Sequence, residues 1–100
     1  MMSGGLGPTL PADPETQVIC DEVKNQLEGE VGRNFAEYNA ILFRSQVVAG
    51  TVLFIKVHVG HADYIHIRIF IPLPGPGKTS LGGYQLHKTK DDPIKYFNNN

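Results

Sequence analysis

Tyr64-Ile65-His66-Ile67-Arg68-Ile69-Phe70-Ile71 places an isoleucine at every second position, four times over. A period of two marks a β-strand, because successive side chains point to opposite faces. β-Branched residues suit that pleated surface. One face of this strand is therefore apolar, and Tyr64, His66, Arg68 and Phe70 form the outer face. Residues 51–59 repeat the pattern, with Leu53, Ile55, Val57 and Val59 on one side. Between the two runs, Gly60-His61-Ala62-Asp63 has ordinary hairpin chemistry, which predicts an antiparallel pair. Fainter alternation over 35–46 and 84–90 predicts two further strands, and Pro93 prevents simple extension of the last.

Upstream the period changes. Asp13-Pro14 reads as an N-cap followed by proline at the first helical position. Ile19, Val23 and Leu27, with Cys20 on the neighbouring row, form an apolar line at helical spacing. Asp21, Glu22, Lys24 and Glu28 form the solvated face, and Gly29 and Gly32 end the helix near Glu28 or Val31. Residues 1–12 carry glycines at 4, 5 and 7, prolines at 8 and 11, and no charge. They read as a flexible leader rather than a packed element. Tyr96 and Phe97 are expected to tuck the C-terminal tail back, and the last three asparagines to fray. One helix with one apolar stripe, followed by consecutive strands with one apolar face, predicts an α+β fold. The helix lies across an antiparallel meander of four to five strands, and residues 1–100 form a single domain.

The chain has 100 residues and a net charge of −1, with lysines and arginines scattered. That argues against a nucleic-acid partner or an anionic membrane surface. No stretch approaches the roughly 20 apolar residues of a membrane span, and the N-terminus lacks the pattern of a signal peptide. Cys20 is the only cysteine, so no intrachain disulfide forms. A domain this small without staples fits a reducing, cytoplasmic compartment.

Two turns break the rule that turns are polar. One is Gln46-Val47-Val48-Ala49-Gly50, and the other begins Pro72-Leu73-Pro74-Gly75-Pro76-Gly77. In a meander alternate turns share one end of the sheet, so these two sit together, away from the polar 60–63 turn. Apolar residues gathered at one end are what an interaction edge looks like. The alternative is structural: Val47 and Val48 continue a strand, with the turn at Ala49-Gly50, and Leu73 folds back onto the core.

These residues resemble the stefins, the cytosolic type 1 cystatins, along essentially the whole chain. Gln46-Val47-Val48-Ala49-Gly50, followed by Thr51, looks like that family's central hairpin. Leu73-Pro74 is similar to its second hairpin, and Gly4, after Met1-Met2-Ser3, resembles the glycine of its N-terminal trunk. Ile55-Lys56-Val57-His58-Val59-Gly60 and Tyr84-Gln85 are stefin-like as well. The resemblance implies a cystatin-like fold, with one long helix wrapped by the sheet. It also implies a three-part wedge for papain-family cysteine proteases, namely papain and cathepsins L, S, H and B. The implied contacts are Met2, Ser3 and Gly4 in the trunk, Gln46, Val47, Val48, Ala49 and Gly50 in the first turn, and Leu73 and Pro74 in the second. Inhibition is then reversible, tight and non-covalent. It needs no cofactor, metal or catalytic residue, since nothing presents a scissile carbonyl to the protease thiolate. Some stefins carry cysteine at position 3, and Ser3 removes that thiol here. A monomer is expected, and opening of the loop that carries Val48 would give a domain-swapped dimer.

Other chemistry finds less support. Cys20 lies near the apolar helical stripe and has no protease signature around it, so an inert buried thiol is expected. A hairpin closed at residues 60–64 would set His58 opposite His66 on the outer face, but two ligands do not make a usual zinc site. Asp91-Asp92 reads as a solvated turn. The rival function is a non-inhibitory interaction module that uses the proline-rich loop. That loop lacks a clean PxxP flanked by a basic residue.

Overall fold

A computed structural model describes residues 5–98. The elements run β1 (Leu10–Pro11), α1 (Pro14–Glu22), α2 (Lys24–Val31), β2 (Asn39–Val48), β3 (Gly50–His58), β4 (Tyr64–Ile71) and β5 (Ser80–Lys88). The five strands form one antiparallel sheet in sequence order. This is the expected α+β meander, with helix on one face.

The helix starts where Asp13 predicts. The Asp13 carboxylate accepts from the Thr16 amide at 2.9 Å and from the Thr16 hydroxyl at 2.8 Å, and the Asp13 amide donates back to the Thr16 hydroxyl oxygen at 3.4 Å, which closes a capping box. These bonds favour the ionised form and hold the carboxyl below its usual range. The expected single long helix is interrupted at Val23. There the amide donates to the Cys20 carbonyl, three residues back, and φ and ψ depart from helical values at −105° and 3°. The ladder resumes when the Leu27 amide donates to the Val23 carbonyl. Cys20, Val23 and Leu27 are buried on both sides of this step, so the apolar stripe survives it. Gly29 does not end the helix, since it lies inside α2. Gly32 does, in a left-handed conformation (φ 78°) that favours glycine.

Gln17 couples the helix to the sheet. Its side chain donates to the Tyr38 carbonyl at 3.0 Å and accepts from the Ala40 amide at 2.8 Å. The Tyr38 hydroxyl donates to the Cys20 carbonyl at 2.8 Å, and the Glu28 carboxylate accepts from the Phe35 amide at 2.7 Å. Phe35 and Tyr38 thus enter the core from a loop, and β2 starts at Asn39 rather than at residue 35. The inner core joins Cys20, Val23 and Leu27 to Leu53, Ile55, Val57, Val59, Ile65, Ile67 and Ile69, the alternating set read from the sequence.

The outer face departs from expectation. Val52, Phe54, Ile94 and Phe97 form a second buried cluster, with Leu6, Leu42 and Phe70 packed against it. Both chain ends return across this face. The segment expected to be an unpacked leader supplies Leu6 and pairs Leu10 and Pro11 with Phe43 and Leu42. The tail is held by Lys56, which is buried and donates from Nζ to the carbonyls of Lys90 at 2.5 Å and Asp92 at 2.7 Å. Asp92 is more than a solvated turn residue, because its carboxylate also accepts from the Thr89 amide at 2.7 Å.

The register also corrects the expected histidine pair. His58 lies opposite Tyr64 and stacks on it at 4.5 Å, while His66 lies opposite Lys56. The turn closes through Val59 to Asp63, which shifts the pairing by two residues from the expected one. Among the described residues no cluster of three metal-ligating side chains exists. His66 is fully buried, and neither ring nitrogen has a hydrogen-bond partner among the described residues. Burial, then the charges of Lys56 and Lys88, push it down to about 4 from an ordinary 6.5. The unfolded chain therefore binds one more proton than the folded chain between those values. Stability is expected to fall as pH drops from 6.5 to 4, by at most about 1.4 kcal/mol per pH unit for one proton. Thermal melts across that window check this, and His66→Gln should flatten the slope. An equal slope in the variant would assign it to other groups.

Candidate apolar binding edge

The register places the two apolar turns at one end of the sheet. Val47 pairs with Thr51, Thr51 pairs with Ile71, and Phe70 pairs with Ser80. The 48–50 turn and the 72–79 loop therefore leave the sheet side by side, and the 59–63 turn closes the opposite end. Val47 and Val48 do continue β2, with the tip at Ala49, as the structural alternative had it. They are nonetheless exposed: Val47 by 70%, Val48 by 41%, with Leu73 at 63%. Ala49 and Pro74 are exposed too, and Gln46 is half-buried at the base. Leu73 does not fold back onto the core.

Gly50 explains why the turn takes this form. Its φ is +119°, and a Cβ there would lie 2.6 Å from the Ile71 carbonyl oxygen and 3.1 Å from the Phe70 ring. Its bare backbone lets the first turn approach the strand that feeds the second loop. Gly50→Ala is expected to cost about 1–3 kcal/mol, read as a lowered denaturation midpoint. An unchanged midpoint would show that the turn relaxes freely and that its shape is not set by this glycine.

The leader reaches the same end. The Gly7 amide donates to the Ser45 carbonyl at 2.8 Å, and the leader runs antiparallel to β2. Toward the N-terminus it therefore heads toward Val47. Gly5 and Leu6 are the last described residues on that path; Met2, Ser3 and Gly4 lie outside the described residues.

No charged residue occurs in 46–52 or in 71–77. Covering this edge strips no ion of its water, so its valines and leucine can be buried at little polar cost. The edge is convex. Two concavities among the described residues, of about 270 and 210 Å³, are lined by groups around Lys88 and Tyr96 and around Ile19 and Phe43, and neither includes Val47, Val48 or Leu73. Cys20 is fully buried, and burial pushes its thiol up to about 12, so it is no nucleophile at neutral pH.

Sequence reasoning anticipated that Tyr96 and Phe97 tuck the tail back, but missed Arg44, which ties that tail and the leader to β2 behind this edge. Arg44 lies in a run that reads as surface, and only the three-dimensional return of the leader and the tail gives it partners.

A helix-backed antiparallel sheet with a protruding uncharged edge is the form of a small binding domain. The comparisons make that specific. Residues 4–91 match the cystatin domain. The chain is 48% identical over 98 residues to cystatin-B of Homo sapiens, covering 97% of this chain and 100% of that one. It is 49% identical to leukocyte cysteine proteinase inhibitor 1 of Sus scrofa and 47% to cystatin-A1 of Sus scrofa, with 97% of this chain and 95% of each relative covered. The chain belongs to the cystatin family.

Proposed function

We infer that this protein is a reversible, tight-binding, non-covalent inhibitor of papain-family cysteine proteases. It is an inhibitor and not an enzyme, in keeping with its family. The observation that carries the mechanism is the pairing of two uncharged apolar turns at one end of the sheet, with Val47, Val48 and Leu73 exposed. A papain-type cleft is a groove of apolar subsites around a thiolate. Each such side chain buried there contributes roughly 1.5–3 kcal/mol before association costs. In this reading Gln46 to Gly50 fill the cleft centre, Leu73 and Pro74 one side, and the trunk Met2, Ser3 and Gly4 the other. Prolines 72, 74 and 76 restrict the second loop before binding and so lower its ordering cost.

Cysteine proteases are the partners, and the proposal extends to papain and cathepsins L, S, H and B. No helix among the described residues is long and apolar enough to cross a membrane. A cytoplasmic location is proposed from the single unpaired, buried cysteine. The monomer is the proposed inhibitory form. Nothing in the comparisons favours a non-inhibitory module built on the proline-rich loop.

The test is titration of papain. Residual activity should fall to zero at a one-to-one ratio with added protein. Undiminished activity at excess protein would overturn the reading.

A further inference from the structure

Arg44 stands on the outer face of β2, between Ser45, which receives the Gly7 amide, and the outer cluster below it. Its guanidinium serves both ends of the chain. Nε donates to the Gly7 carbonyl at 2.8 Å, and Nη1 donates to the Ile94 carbonyl at 2.7 Å. Leu6 beside the first contact and Ile94 at the second pack in one apolar cluster with Phe54 and Phe97. Lys56 fixes the same tail at Lys90 and Asp92. Leader and tail therefore form one layer, pinned at its centre by a single planar fork.

A guanidinium holds its donors in fixed relative directions, so two acceptors on one fork are fixed relative to each other. Hydrogen bonds from a charged donor are also about twice as strong as neutral ones. An apolar side chain at position 44 would extend the cluster but would hold neither backbone in place. Lysine would keep the charge and lose the fork. The clamp grips the leader at Gly7, level with Ser45 and two residues short of Val47, where the chain sets off toward the binding edge.

We propose that Arg44, together with the C-terminal tail it holds, is a positioning device for the N-terminal trunk: it sets the direction in which the residues before Gly7 leave the sheet, and so lowers the ordering cost of placing them in a protease cleft. The inference rests on the inhibitory reading above. Arg44 need not touch the protease. It acts through the trunk by preorganisation, whose loss appears mainly in the off-rate.

The test is a double-mutant cycle on the full-length protein, measuring dissociation from papain. Four proteins are compared: wild type, Arg44→Lys, a deletion of Met1 to Gly4, and the combination. Arg44→Lys should speed dissociation about tenfold in the full-length background and less than about twofold once the trunk is gone. Amide exchange at Gly7 should quicken in Arg44→Lys while β3 and β4 amides keep their protection, which separates a loosened leader from a loosened fold. Should Arg44→Lys unfold, Phe97→Leu loosens the tail instead and should show the same dependence on the trunk. Equal fold-changes in both backgrounds, or no change in either, would overturn the inference while leaving the inhibitory reading intact. A trunk deletion without effect would overturn it too, since nothing remains to position. A wild-type protein that fails to inhibit papain overturns the inhibitory reading itself.

Discussion

Val48→Asp is expected to weaken papain binding by about two to three orders of magnitude and to leave the melting temperature almost unchanged. Val48 is 41% exposed at the end of β2, opposite Gly50, where a carboxylate remains in water. Substitutions at such surface positions usually move stability by no more than about 0.5 kcal/mol. In a closed apolar cleft the same carboxylate must shed its water without a partner. A cost of roughly 3–4 kcal/mol corresponds to the stated loss. Inhibition titrations and thermal melts of the same preparation separate the two effects. If the variant unfolds, and inhibition merely follows the folded fraction, Val48 belongs to the core and the edge is not the site.

The second large effect is on stability. Phe54→Ala should cost about 3–5 kcal/mol. In a domain of this size that lowers the melting temperature by roughly 15 °C or more. Phe54 is fully buried, meets the Phe97 ring edge-on at 5.4 Å, and lies near Tyr96 at 5.6 Å. Its loss removes the floor on which the tail rests, so tyrosine fluorescence from Tyr96 should change before the main transition. A melting temperature lowered by only a few degrees would mean that the outer cluster is a loose cover rather than a second core.

That second core marks the limit of what the sequence discloses. The inner face was legible because isoleucine alternation in β4 and the matching run in β3 each report a face directly. The helix start was legible from Asp13-Pro14, a local hydrogen-bonding signal. The outer face was not, because Tyr64, His66, Arg68 and Phe70 look like a solvated row until leader and tail cover them. Tyr96 and Phe97 gave a hint of the tail's return, but nothing in residues 5–12 announces that the leader packs there too. The histidine register failed for a related reason: it depends on which residues close the 59–63 turn, a choice of two residues that composition leaves open. The break at Val23 is a change of one hydrogen bond inside an unbroken apolar stripe.

The candidate site was more legible than its supports. Apolar residues at two turns stand out against the polarity that turns normally have, and the exposure of Val47, Val48 and Leu73 agrees with that anomaly. Gly50 was read as a turn glycine, and its close approach to Ile71 adds a reason that only the fold supplies. Arg44 carried no signal, since an arginine on a strand reads as surface until its two carbonyls are known.

The central claim is occlusion without chemistry, and it is tested most directly with papain whose catalytic thiol has been capped by a small group. Covalent inhibition needs a free thiolate within about 3 Å of a carbonyl, and occlusion does not. Calorimetric titration of the capped enzyme should show one-to-one binding, weakened only by crowding at the centre of the cleft. Complete loss of binding to the capped enzyme, with tight binding to the free-thiol form, would contradict the account.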